Sequence, residues 1–281
     1  MFSDQIKYCL DQLRRFDHDR YLAILLTPEE FRAPLCALYA FDVEMTRIPN
    51  AVSEPMLGEI RFQWWRDTLE ALTPFNNPGH EIASALCETL FEGPLAPSDL
   101  LPLLDARATS LELYSHKTMA ALIEHLRKTD VFCQSLALRL TGASSAEEAT
   151  YDEDLALAYG MAALLRRLPQ DAAHQRLSIP LDVMGENELD PHDVFAGVYR
   201  SELSGAITTL LAEASRRFAN GKLRQFSGKP GQLAVMLPAS LSPLYIAKMN
   251  EADFNPFLHS SEIPAFRRQL RFLRVRWMKH F

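Results

Sequence analysis

The chain is expected to fold as an all-α protein. Apolar residues recur at spacings of three and four along most segments, the periodicity of a helix with one buried face. Only 11 glycines occur in 281 residues, and few β-branched runs alternate with period two, so a barrel or sandwich is not expected. Helix-start chemistry appears twice, at Thr27-Pro-Glu-Glu30 and Ser53-Glu-Pro55.

Thr27-Pro-Glu-Glu30 has the form of a capping box, with Thr27 as N-cap, Pro28 at the first helical position and Glu30 at the third. The helix behind it is expected to run through Tyr39 and Phe41 to Ile48 and to stop at Pro49. A second long helix covers 56–72, with Ile60, Trp64 and Leu72 on or near one face. Asn76-Asn-Pro-Gly79 marks a turn. Helices over 80–92 and 98–114 follow, separated by Gly93-Pro94, and 118–141 and 146–168 form a long pair broken at Thr141-Gly-Ala-Ser144. A loop is expected from Pro180 to Pro191, then a helix over 191–222 and a loop at 226–231. Helices over 239–250 and 262–280 finish the chain. No repeat, low-complexity tract or linker divides it, so 1–281 is expected to be one domain.

Composition excludes several classes. A hydrophobic content of 48% can supply a large core. Cys9, Cys36, Cys87 and Cys133 are scattered with no Cys-x-x-Cys, which argues against a disulfide framework or a zinc site and suits a reducing compartment. No apolar h-region opens the chain, and no run approaches the ~18 apolar residues of a spanning helix. The expectation is therefore a cytoplasmic protein, soluble or peripheral at the inner face of a membrane, with no signal peptide or transmembrane helix.

The C-terminal segment stands apart. The chain carries a net charge of −7, yet from Pro264 to Phe281 it holds Arg267, Arg268, Arg271, Arg274, Arg276 and Lys279 and no acid. Phe266, Leu270, Leu273, Trp277 and Phe281 recur at helical spacing. This stripe is expected to be buried on the domain. The arginines, chiefly Arg267, Arg268, Arg271 and Arg274, would then point outward to meet an anionic membrane surface. The acidic remainder argues against nucleic-acid binding.

Two stretches carry the strongest functional signal: Ala37-Leu-Tyr-Ala-Phe-Asp-Val-Glu-Met-Thr-Arg-Ile-Pro-Asn50, and Gly160-Met-Ala-Ala-Leu-Leu-Arg-Arg-Leu-Pro-Gln-Asp171 with Arg176-Leu-Ser-Ile-Pro180 behind it. With Ile60-Arg-Phe-Gln-Trp-Trp-Arg-Asp-Thr-Leu69 and Asp253-Phe-Asn-Pro-Phe257, they resemble the squalene/phytoene synthase family over nearly the whole chain. The resemblance implies an isoprenoid-synthase-type helical bundle around a deep central cavity, where catalytic members join two isoprenoid diphosphates head to head. Each family stretch carries an Asp-x-x-x-Asp. Here those positions are Thr46 and Asn50 in the first and Arg167 and Asp171 in the second. Phe41-Asp-Val-Glu44, Val52-Ser-Glu-Pro55 and Leu165-Arg166 are similar to a diverged branch that includes the mitochondrial complex I assembly factor and its bacterial relatives. That likeness implies a respiratory-complex subunit or assembly partner.

Ionising an allylic diphosphate needs Mg²⁺ bridging carboxylates and phosphate oxygens. Two acids at i and i+4 share a helical face and suit that geometry. Thr46 and Asn50 are weak ligands, and Arg167 repels a cation. No catalytic residue, metal site or cofactor is expected, and Mg²⁺ enters only if the chain is a prenyltransferase. Arg47, Arg166, Arg167 and Asp171 are the candidates for a metal-free anion site. Tyr39, Phe41, Glu44 and Trp64 are candidates for the cavity wall; Trp64 and Trp65 are equally read as core, and Glu44 as a structural partner of Arg32, Arg47 or Arg66. Three functions compete: a non-catalytic assembly factor for a complex I-type enzyme, a head-to-head prenyltransferase, and an isoprenoid- or lipid-binding protein without chemistry.

Overall fold

A computed structural model describes every residue except 1, 53, 75–78, 92, 112–114, 144–152, 223–228, 253 and 279–281. All regular structure among the described residues is helical. The chain forms two compact units, each gathered from three separated segments.

The first unit combines Met1–Glu112, Val131–Tyr151 and Phe226–Pro238. Its N-terminal part runs α1 (Asp4–Phe16), α2 (His18–Leu25), α3 (Glu29–Ala51), α4 (Pro55–Ala71), α5 (Glu81–Leu90) and α6 (Leu101–Ala108). Helix α1 offers Ile6, Cys9 and Leu13 on one face and packs against α3 and α5. Ser3 caps it by accepting the Ile6 amide at 3.2 Å. Asp17 closes α1 and opens α2, its carboxylate accepting the Arg20 amide at 3.1 Å. Helix α3 is the core element, with Leu35, Cys36, Leu38, Phe41, Met45 and Ile48 all buried. Burial pushes the thiols of Cys9 and Cys36 up to about 12, which keeps them protonated and inert. All four cysteines are free.

Three expectations fail here. Thr27 does not cap α3, because its hydroxyl donates back to the Ala23 carbonyl at 3.0 Å and Pro28 takes the N-cap position. Nor does Pro49 stop the helix, which continues to Ala51. Proline breaks a helix through a lost amide bond and a clash one turn back, and the last turn tolerates both with few residues left to follow. On α4 the packed face is Phe62, Trp65 and Leu69, while Ile60 and Trp64 are exposed.

The second unit combines Leu113–Asp130, Asp152–Gln225 and Ala239–Phe281. It opens with α7 (Met119–Leu126), whose N-cap Thr118 accepts the Ala121 amide at 3.1 Å. A π-helical turn, Arg127–Val131, then leads the chain into α8 (Phe132–Leu140) of the first unit, so the helix expected over 118–141 forms with one wider turn inside it. Helix α9 (Glu153–Ala173) runs beyond Pro169. Past it, the expected loop between Pro180 and Pro191 holds one short helix, α10 (Leu181–Glu186), and α11 (Pro191–Phe195) follows. Backbone bonds tie this segment to 116–117: the Leu181 amide donates to the His116 carbonyl and the Asp182 amide to Lys117. The Asp182 carboxylate in turn accepts the first amide of α7, that of Met119, at 2.9 Å. Gly197, at φ 68, turns the chain out of α11, so the expected 191–222 helix becomes α11 and α12 (Ser201–Lys222). Helix α13 (Pro230–Met236) belongs to the first unit. In the second, α12 packs along α9, and α14 (Ser242–Met249) packs on both.

Helix α15 (Ala265–Met278) forms where the sequence places it but is turned around. The residues it buries are Arg268, Phe272 and Val275, while Phe266, Leu270, Leu273 and Trp277 face outward. Arg268 pairs with Glu262 at 3.5 Å, and Arg271, half-buried, donates to the Ser240 carbonyl at 3.1 Å. Of the four arginines expected outside, only Arg267 and Arg274 are exposed. Phe281 and Lys279 lie outside the described residues. The expectation fails because the helix has two apolar sets, and arginine stems lie comfortably along apolar surface when their heads find oxygen.

Candidate functional site

The first acidic stretch lies on α3. Four residues before Thr46 stands Asp42, a carboxylate only 2% exposed. Its Oδ2 accepts Arg20 Nη1 at 2.7 Å; its Oδ1 accepts Arg107 Nε at 3.0 Å and Nη2 at 2.9 Å. Burial pushes this carboxyl up, but Arg107 and then Arg20 outweigh it and hold the group below the usual carboxylate range. Tyr39 lies beneath Arg20, with the guanidinium carbon 4.6 Å from the ring centre, and burial pushes its phenol well above the ordinary value. With Asp17 3.5 Å from Arg20, the cluster sets two acids against two arginines.

Thr46 spends its hydroxyl on the Asp42 backbone carbonyl one turn back, at 2.8 Å. Arg47 sits over the Phe16 ring with its guanidinium carbon 3.5 Å from the centroid. Asn50 is half-buried in the last turn of α3. Phe41 is fully buried and meets Trp65 edge-on at 5.3 Å, whereas Trp64 is exposed. Glu44 is half-buried on the side of α3 near Tyr8, whose phenol is raised by burial first and then by Glu81 and Glu44. Its expected arginine partners are engaged elsewhere. Arg32 donates to the Thr27 carbonyl, Arg66 to Asp105, and Arg47 stacks on Phe16.

The second acidic stretch ends α9. Arg166 reaches Glu262 at 2.6 Å and lies 4.0 Å over the buried Tyr245 ring. Arg167 is half-buried. Asp171 accepts the Ser178 hydroxyl at 2.7 Å. Its backbone carbonyl receives the Arg176 amide at 3.0 Å, with Gln175 at φ 59 making the turn. Burial lowers the Arg176 guanidinium, and Asp171 partly restores it. The surviving motif acid thus pins the 171–178 turn.

Magnesium chemistry of the family's kind requires carboxylate oxygens to spare. Both oxygens of Asp42 are taken by guanidinium groups, and Thr46 and Ser178 offer only neutral hydroxyls. These residues do not fit a magnesium cluster. Among the described residues no three His, Cys, Asp or Glu side chains gather as metal ligands. Sequence reasoning missed Arg20, Arg107 and Ser178. Arg107 had a visible signal: it follows Leu103 and Leu104 at helical spacing, a charge set into the buried face of α6.

A family model for squalene/phytoene synthases matches residues 13–276. The chain belongs to the squalene/phytoene synthase family. Its fold is shared with a dehydrosqualene synthase solved with a ligand, at a TM-score of 0.81 and 14% identity over 97% of this chain and 95% of that one. The squalene synthase HpnC of Alicyclobacillus acidocaldarius gives 0.70 and 17% over 90% and 95%. The isoprenoid-synthase-type helical fold expected from the sequence is thereby established. Among sequence relatives, a Bos taurus protein named NADH dehydrogenase (ubiquinone) complex I, assembly factor 6 is 24% identical over 89% of this chain and 75% of its own length. The Rattus norvegicus protein of the same name is 25% identical over 90% and 76%. No described helix is long and apolar enough to cross a membrane.

Proposed function

We propose that this member of the squalene/phytoene synthase family is non-catalytic and acts as a peripheral assembly factor for a membrane respiratory complex of the complex I type. The observation that carries this reading is the fate of Asp42, the acid one helical turn before Thr46 of the degenerate first motif, which is locked between Arg20 and Arg107. The names of the mammalian relatives support the same reading. No cofactor is required by it. The partner is a subunit or assembly intermediate of the complex, met at an anionic membrane surface.

The test is deletion of the gene in its host, followed by native-gel measurement of the assembled NADH:quinone enzyme. Assembled complex should fall and return with the wild-type gene. Unchanged assembly would overturn the proposal. So would diphosphate release when the purified chain meets farnesyl or geranylgeranyl diphosphate with Mg²⁺.

A further inference from the structure

Helix α15 has three bands. One side, Phe272 and Val275 with Arg268, is buried. The opposite side is an apolar stripe of Phe266, Leu270, Leu273 and Trp277, and Trp277 is 90% exposed. Arg267 and Arg274 flank that stripe on one edge and Arg276 on the other, all exposed. From Ala265 to Met278 there is no acid, on a chain of net charge −7. A soluble surface rarely leaves such a stripe in water without an occupant.

A second exposed stripe identifies what is particular about this one. Met56, Leu57, Ile60 and Trp64 of α4 also face outward, but among Glu54, Glu59, Arg61 and Asp67. Mixed charge of that kind gives no preference for an anionic surface. On α15 the charge is of one sign only, aromatic rings stand near both ends of the stripe, and the arginines have the length to reach headgroups while the stripe lies among acyl chains.

We propose that the outward stripe of α15 inserts into the interfacial layer of an anionic bilayer, so that the helix is docked to the domain on one side and to lipid on the other. This deepens the peripheral-membrane part of the reading above and rests on it. It reverses the arrangement expected from sequence, in which charge alone would hold the domain to the membrane.

The experiment is sedimentation of the full chain with vesicles of equal parts phosphatidylglycerol and phosphatidylcholine at low salt, compared with phosphatidylcholine alone. Trp277 fluorescence is followed with brominated lipid as quencher, and W277F provides the background from Trp64 and Trp65. The wild type should bind the anionic vesicles with Trp277 quenched. The combined variant L270S, L273S and W277S should lose roughly tenfold or more in affinity. Neutralising Arg267, Arg274 or Arg276 should cost roughly fivefold each. All the altered residues are exposed, and a melt matching the wild type verifies the fold. Undiminished binding by the stripe variant overturns the inference and leaves the peripheral reading standing. Equal binding to neutral vesicles overturns the choice of an anionic surface. Absence of vesicle binding, with stripe-dependent capture of a complex I subunit, assigns the stripe to a protein instead.

Discussion

Helix α3 hides a carboxylate among its most buried positions, whereas α15 hides an arginine and turns five large apolar side chains to the outside. Both depart from the usual amphipathic pattern, and for different reasons. In α3 the charge is retained because Arg20 and Arg107 both reach it, so removing the carboxylate takes a partner from each. In α15 Arg268 reaches Glu262 and Arg271 the Ser240 carbonyl, and the outward stripe is unconstrained by packing. A buried departure belongs to stability; an exposed one is available for contact.

The sharpest way to break this contrast is Asp42→Ala, which takes from Arg20 and Arg107 the buried carboxylate that both reach. It should destabilise the chain by about 3–5 kcal/mol in urea unfolding. A double-mutant cycle with Arg107→Met should show coupling of about 0.5–3 kcal/mol. Additive losses would mean the pair is incidental.

Next come two adjacent residues of α15. Phe272→Ala should cost about 3 kcal/mol, the low end for such a truncation because the helix is terminal. Leu273→Ala should change stability by less than about 0.5 kcal/mol. Had the helix packed on its more regular stripe, the two values would be exchanged.

Acid supplies a third comparison. The folded carboxyl of Asp42 is held below its unfolded value, so its contribution is fully present above the unfolded value of about 3.9 and is lost as pH falls through the folded one. Stability should therefore hold from neutral pH down to about 5 and decline below about 4. The sodium-chloride dependence of that decline should be weak, since the pair is buried. Vesicle binding through α15 should be strongly salt-dependent by comparison.

The smallest effect belongs to the second motif. Ser178→Ala removes the hydrogen bond to Asp171 and should cost about 1 kcal/mol in a thermal melt. A much larger loss would place Asp171 in a class with Asp42.

Family, helical class and the loss of the acid pairs were legible in the sequence, because each depends on residue identity at fixed spacing. Thr46, Asn50 and Arg167 are poor metal ligands wherever their side chains point. The placement of 265–278 as a helix was equally local, since periodicity and the absence of breakers set it. Other features depended on partners distant in the chain. The engagement of both Asp42 oxygens required Arg107, which lies 65 residues away. The 180–191 segment looked like loop until Asp182 joined the start of α7, 63 residues back.

The facing of α15 makes the division clearest. By itself the sequence determined a cationic helix with apolar residues on two sides and a strong stripe on one. Only the tertiary structure decided which side packs. Burial free energy follows the fit of a whole surface, including arginine stems and the oxygens that receive their heads, and not the regularity of the apolar repeat.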